Sequence, residues 1–455
     1  MKVLLTFMLA AAGMIISVSS APTGEWVTVD PGNATDIVIT SANTLNATKP
    51  APHISDTPNA AGIDNWSDSG RLQLALVNNF PNGTIYAYVM GFDRHGHAVM
   101  LSPDGTFCYP TADKSIATPQ PVAADIAIRL GARGSTTNIA VPDYISAARV
   151  WVSEGNELSF HTVHIDALGG PTLVQLDLIN PTDPNSGINW GFLELTYTEK
   201  DGLYADLTNV DFVGLELGLK LKGADGTEQT VPGLLANATS TICAELKAQS
   251  KIDRQPWGDL CKTGDDGRVL RVLSPTQLLS ANSSAFEDYW TDYNNKVWER
   301  YAANELIINT GGVEGEVKCR VSGEQMLCDG DDKGYSKPTA QEIFGCNSGP
   351  FSNVDSNSNL HKPVTARFCA AYHRGTLLME GGNIQPGPSA ENYYSSEPSN
   401  YYNKFVHEHQ VDGKGYAFAY DDVNPANDVD QSGTVSSMQP ELLTIIVGGP
   451  LDTEE

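Results

Sequence analysis

The segment Ile188-Asn189-Trp190-Gly191-Phe192-Leu193-Glu194-Leu195-Thr196-Tyr197 reads as a strand with chemistry on one side. Side chains alternate between the faces of a strand, so Trp190, Phe192, Glu194 and Thr196 share a face. A carboxylate set between aromatic rings and a hydroxyl suits a sugar chain. The rings stack on pyranose faces while the acid meets the glycosidic oxygen. After the Lys200-Asp201-Gly202 turn, a second strand is expected over Ala205 to Val213. It brings Asp206 or Asp211 near Glu194 across a hairpin. Glycoside hydrolysis uses two carboxyl groups, one giving a proton to the leaving oxygen and one acting on the sugar or on water. Solvated strand acids would produce the same pattern, and the pattern alone leaves both readings open.

Other chemistries find less support. No G-x-S-x-G elbow, H-E-x-x-H pair or P-loop occurs. His95-Gly96-His97 and His407-Glu408-His409 place two imidazoles two residues apart, but no third ligand follows at a recognisable spacing, so no metal is expected. Asp428-Val429-Asp430-Gln431-Ser432-Gly433 resembles the start of a calcium loop. Gln439 stands where the closing Glu belongs, so a turn held by Asx side chains is the better reading. The net charge of −27 argues against nucleic acid and anionic membranes, which need clustered Lys and Arg. It is compatible with a neutral polysaccharide. No cofactor is implied.

The elements that position these residues are mainly strands. Leu72 to Val77, Thr84 to Val89 after the Asn82-Gly83 turn, Ile126 to Leu130 and Arg149 to Val152 are short and regularly spaced, as in a sandwich or barrel. The pattern changes near residue 240. Ser284-Ala285-Phe286-Glu287 resembles a capping box, opening a helix that carries Phe286, Tyr289, Trp290, Tyr293, Val297, Trp298 and Tyr301. That stripe is read as a buried face rather than a sugar groove. A second helix runs from Pro363 to a C-cap at Gly375. Strands return at Gly415 to Tyr420 and Leu442 to Val447. The expected organisation is a β unit over 66–235 and 405–455, with an α/β insertion over 236–404 and a cleft between them.

The first twenty residues pair Lys2 with an apolar run to Val18 and small residues at Ser19-Ser20-Ala21, a secretory signal pattern. Residues 21–65 are a Ser/Thr/Asn-rich lead-in with a short strand over 36–40. Sequons at Asn33, Asn46, Asn65, Asn82, Asn237 and Asn282 agree with export by a eukaryotic route. No later stretch is long and apolar enough to cross a bilayer. Seven cysteines suggest a few disulfides on a real core. Cys319–Cys328 across a hairpin is the first expectation, then Cys243–Cys261 and Cys346–Cys369, leaving Cys108 unpaired. A monomer is expected.

Several segments together resemble glycoside hydrolase family 64, the β-1,3-glucanases that are similar to thaumatin-like proteins. They are Asn180-Pro181-Thr182-Asp183-Pro184-Asn185, Asn189 to Thr196, and Thr208-Asn209-Val210-Asp211. Leu130-Gly131, Val141-Pro142, Arg149-Val150-Trp151, Ala366 to Gly375 and Gly415 to Val423 extend the match over about residues 70 to 450. The resemblance implies a thaumatin-like β barrel or sandwich with an inserted α/β domain, a wide acidic groove, and β-1,3-glucan as the partner. It further implies an inverting reaction with Glu194 as general acid and Asp211 as general base; Asp206 is the rival base. Trp190, Thr196, Asn209, Tyr420, Asp421 and Asp422 are the expected substrate-binding residues. The dense cysteine framework of thaumatin-like proteins is not present. A non-catalytic glucan-binding or wall protein is the alternative, and acids in both catalytic positions favour the enzyme.

Overall fold

Two sheets packed face to face form the β unit in a computed structural model. The structure describes residues 71–450 except 82, 167–169, 312–314, 354–359 and 426–429. The signal pattern, the lead-in with its 36–40 strand, and the sequons at Asn33, Asn46, Asn65 and Asn82 lie outside the described residues. A five-stranded sheet has the order Glu228–Val231, Leu217–Gly223, Pro440–Val447, Leu72–Asn78, Thr136–Val141. Pro440–Val447 runs parallel to Leu72–Asn78 and antiparallel to Leu217–Gly223. The larger, eight-stranded sheet runs Thr434–Ser437, Gly202–Asp206, Trp190–Thr198, Ile145–Glu154, Ile85–Asp93, Ala98–Leu101, Phe107–Cys108, with Ile128–Arg129 added beside Ile85–Asp93.

The period-two pattern is fully used. Leu193, Leu195, Val150 and Val152 face inward and meet Leu72, Leu74, Leu219, Leu443 and Ile445 of the other sheet in one apolar core. The intervening residues Trp190, Phe192, Trp151, Tyr88 and Met90 point the other way. They join a second core with residues of the helical part. Both faces of the large sheet are therefore covered over much of their length.

That helical part holds Ala238–Asp253, Pro275–Ala281, Thr291–Ala303, Ala340–Gly345, His361–His373 and Tyr401–Glu408. It also carries a five-stranded sheet ordered Gly334–Ser336, Gln325–Cys328, Glu316–Ser322, Leu306–Asn309, Ile384–Gln385. Disulfides join Cys243–Cys261, Cys319–Cys328 and Cys346–Cys369, and Cys108 carries a free thiol. Cys319 and Cys328 face each other directly in the hairpin register. The aromatic stripe is core: Phe286, Trp290, Tyr293, Trp298 and Tyr301 are all buried.

Three expectations need correction. The Ser284–Glu287 box does not open a helix, because Phe286 takes a left-handed φ of 58° and the helix begins at Thr291. The Ala205–Val213 strand ends at Asp206, where its neighbour Thr434–Ser437 also ends; Phe212–Val213 joins a different sheet beside Val269–Leu273. Gly415–Tyr420 is not a strand. Its backbone turns around Asp421, whose carboxylate accepts hydrogen bonds from the amides of Ala417 (2.7 Å) and Phe418 (3.4 Å).

Candidate active site

The register of three adjacent strands creates a row of charges. Glu194 lies opposite Arg149 on one side and Asp206 on the other. Directly opposed residues have Cβ atoms about 4.5–5.5 Å apart, so the three side chains interact on one face. Arg149 Nε donates to Glu194 Oε1 at 2.9 Å, and Arg149 Nη1 donates to Gln175 Oε1 at 2.9 Å. The guanidinium also lies 4.7 Å from the Phe192 ring centre and 5.8 Å from that of Trp151. Glu194 is 1 % exposed and Asp206 0 %. Charges so removed from water need each other: breaking such a pair by deleting one partner costs about 3–5 kcal/mol. The Asp206 carboxyl is held well above the usual carboxylate range, first by burial, then by the charges of Glu194 and Asp422; Arg149 opposes this.

Asp211 sits apart from this row. It ends the irregular stretch after Asp206, with its backbone carbonyl accepting from Ser274 N at 2.8 Å and its Oδ1 accepting from Gln277 Nε2 at 3.0 Å. It is half-buried. Burial raises its pKa, and the Arg149 charge and the Gln277 hydrogen bond work against that. The hairpin thus pairs Glu194 with Asp206, while Asp211 belongs to the junction with the helical part. Arg149 is the charge that acts on both aspartates.

The turn around Asp421 is tied to the chain just after Asp206. A parallel bridge joins Thr208 to Tyr416, with Asn209 N donating to Tyr416 O (2.7 Å) and Tyr416 N to Leu207 O (3.1 Å). Tyr416 and Tyr204 bring their hydroxyls to 3.4 Å. Asp422, half-buried, acts electrostatically on Asp206, Tyr204, Tyr416 and Arg367. Asn209 is buried, and its carbonyl accepts from the hydroxyl of Tyr402.

Four expected binding residues are not presented to solvent. Trp190 is 1 % exposed, packed edge-on to Phe212 with Arg271 over its ring at 4.7 Å. Thr196 Oγ1 accepts from Ala147 N at 3.0 Å, filling a β-bulge between Leu195 and Tyr197. Tyr420 is buried and its hydroxyl accepts from Asn353 Nδ2 at 3.2 Å. Asp421 pairs with Arg374 (3.3 Å) and His407 (3.1 Å) while collecting the two turn amides. In this structure all four side chains are engaged in packing or internal hydrogen bonds: alternation assigns a face, and packing decides whether that face is open. Asn209, also buried, lines a pocket, and Asp422 is half-buried.

The two His-x-His segments do not converge on a common point. His407 serves Asp421, and His409 Nε2 lies 2.7 Å from Glu245 Oε2. Asp93 Oδ1 accepts from the backbone amides of both His95 and His97. Cys346, Cys369 and His373 place ligand-type atoms within 4.8 Å of one another, but both sulfurs are committed to the disulfide.

Arg149, Gln277 and Gln410 were not singled out as site residues from sequence. For Arg149 a signal existed: a charged residue inside the apolar Val150-Trp151-Val152 strand implies a buried partner. Gln410 left none. It lines a small pocket with Thr208, Asn209, Phe192 and Leu234. Gln410 is 4 % exposed, and neither its Oε1 nor its Nε2 has a hydrogen-bond partner. Such an amide calls for a water or a ligand hydroxyl.

Residues 70–447 match the family described as Beta-1,3-glucanase, in glycoside hydrolase family 64. The glucan endo-1,3-beta-glucosidase of Cellulosimicrobium cellulans is 27 % identical over 361 residues, covering 77 % of this chain and 61 % of that protein. The protein of the same name from Arthrobacter sp. (strain YCWD3) gives the same identity and coverage. The chain thus spans about 61 % of the length of these curated relatives. A laminaripentaose-producing β-1,3-glucanase, solved in complex with laminaritetraose, is 28 % identical with a TM-score of 0.72, covering 83 % of this chain and 98 % of that one. The β-1,3-glucanase domain from Clostridium beijerinckii, at 23 % identity, TM-score 0.64 and coverages of 84 % and 100 %, shares the fold.

Proposed function

The chain belongs to glycoside hydrolase family 64, the β-1,3-glucanases, and on that premise we propose that it cleaves internal linkages of β-1,3-glucan with inversion. Glu194 is the general acid and Asp211 the general base. The observation that carries this reading is that the family match contains both acids, in different surroundings: Glu194 in a buried charge row, Asp211 half-buried at a junction. Unequal environments separate two carboxyls into a proton donor and a proton acceptor. In the reaction Asp211 takes a proton from water as that water attacks the anomeric carbon, and Glu194 gives its proton to the departing oxygen. Asn209, Asp422 and Gln410 supply hydrogen bonds to sugar hydroxyls. Glu194 has only 2 % of its side chain exposed, so a bound glucan displaces part of what covers it.

That burial favours a second reading, in which the Arg149–Glu194 pair is purely structural and the protein binds glucan without turnover. Reducing-sugar release from linear β-1,3-glucan, with cellulose and β-1,6-glucan as controls, separates the two. Release from the β-1,3-glucan alone supports the enzyme; binding without release supports the second reading. We also read the sandwich as thaumatin-like and the protein as an exported, N-glycosylated monomer. The three disulfides and the exposed sequons at Asn237 and Asn282 support export. Among the described residues no helix is long and apolar enough to cross a membrane.

A further inference from the structure

We propose that Asp206 is the positioning residue for the general acid: Glu194 and Asp206, in register on adjacent strands and bordered by Arg149, hold one proton between them. The inference rests on Glu194 being the acid. A carboxylate bound only to an arginine is held ionised and makes a poor proton donor. Here the Arg149 charge is shared. Counted as two carboxyls, one guanidinium and one proton, the row is neutral; with both carboxyls ionised it carries a negative charge where both acids are almost wholly out of water. Removing that last proton is costly, as in other paired carboxyls.

The groups facing Asp206 agree from each side. Glu194 stands opposite on Trp190–Thr198, and Arg149 lies beyond it on Ile145–Glu154. Thr434 is its neutral partner on Thr434–Ser437. Asp422 adds a further negative charge from the turn above. Tyr204 on its own strand and Tyr416 on the turn are phenols whose ionisation is opposed first by burial and then by the same carboxylates. The Asp206 carboxyl is correspondingly pushed well up. During turnover the proton passes from Glu194 to the glycosidic oxygen as the C–O bond breaks, while Asp211 holds the proton taken from water. Before the next cycle Asp211 releases its proton to solvent and the pair, now doubly ionised, recovers one from solvent.

The test uses the full-length protein and the pH profile of kcat/KM on linear β-1,3-glucan. In Asp206→Asn the like charge beside Glu194 is gone, so Glu194 ionises more readily and the basic limb moves to lower pH by about one unit, a tenfold loss above the limb. Asp206→Glu restores the limb. A β-1,3-glucosyl substrate with a dinitrophenol leaving group needs no proton on departure, so Asp206→Asn should lose far less activity on it than on glucan. Equal losses on both substrates, or an unmoved basic limb, would overturn the proposal while leaving Glu194 as the acid. Full activity of Glu194→Gln on glucan would remove Glu194 itself, and the proposal with it.

Discussion

Replacing His373 with Gln should remove a large part of the protein's acid sensitivity. His373 is buried at the end of the His361–His373 helix, stacked on Phe418 with ring centres 4.2 Å apart. Its Nδ1 accepts from Asn400 Nδ2 (3.0 Å) and Asn403 Nδ2 (2.8 Å), and its Nε2 donates to Ile343 O (2.7 Å). Both nitrogens are therefore committed to the neutral ring, and a proton on Nδ1 would face two amide donors. Burial lowers its pKa from 6.5 to about 4, with Arg374 adding to the effect and Ile343 O and Asp421 opposing it. Because the folded value lies below the unfolded one, the unfolded chain binds the proton first. The neutral ring's contribution is present above pH 6.5 and is lost as pH falls towards 4. At about 1.4 kcal/mol per pH unit the full effect is about 3 kcal/mol, most of which appears between pH 7 and pH 4.5. Gln keeps a donor and an acceptor but does not titrate. Urea unfolding at both pH values should show the wild type losing about 2 kcal/mol more than His373→Gln on acidification. Equal losses in the two proteins would refute the reasoning.

Glu194→Gln and Asp211→Asn should each lower turnover on β-1,3-glucan by roughly 10²–10⁴-fold, the usual worth of a general acid or base; near-wild-type rates in Asp211→Asn, with loss in Asp206→Asn, would move the base to Asp206. Asp421→Ala should cost about 3–5 kcal/mol in urea unfolding, because it strands the buried Arg374 charge and releases the Ala417 and Phe418 amides. Asp422→Ala should stay folded and weaken retention on a β-1,3-glucan affinity gel, and normal retention would place Asp422 outside the site. Proton NMR of the first product should show the α-anomer before mutarotation; an initial β-anomer would mean a covalent intermediate.

Where a local rule matched the packing, the fold was legible. The alternation through Trp190–Thr198 places Trp190 and Phe192 in one core and Leu193 and Leu195 in the other. Gly375 closes the His361–His373 helix with a left-handed φ of 69°, the conformation a C-cap glycine serves. Where strand pattern competed with a specific hydrogen-bonding partner, the partner won. Gly415–Tyr420 has a strand's alternation, but the Asp421 carboxylate offered its amides a closer partner. Ala205–Val213 has a strand's composition, but its length is set by the partner Thr434–Ser437, more than 200 residues away in sequence.

The same limit explains which parts of the site could be read. Glu194, Asp206 and Asp211 announce themselves by residue type, because carboxylates in apolar strands need a reason to be there. Their grouping does not, since the difference between Asp206 and Asp211 is a question of where one strand stops. The aromatic and hydroxyl neighbours misled for a related reason. Trp190 and Thr196 do share the face of Glu194, yet Trp190 lies under Phe212 and Arg271, and Thr196 is spent on the Ala147 bulge. What the face offers a ligand is therefore decided by residues from elsewhere in the chain: Arg149 from one neighbouring strand, Asp422 from a turn bridged to Thr208, and Gln410 from the end of the last helix. Each comes from a segment whose own pattern speaks of something else. The chemistry is written in single residues; its assembly depends on strand order.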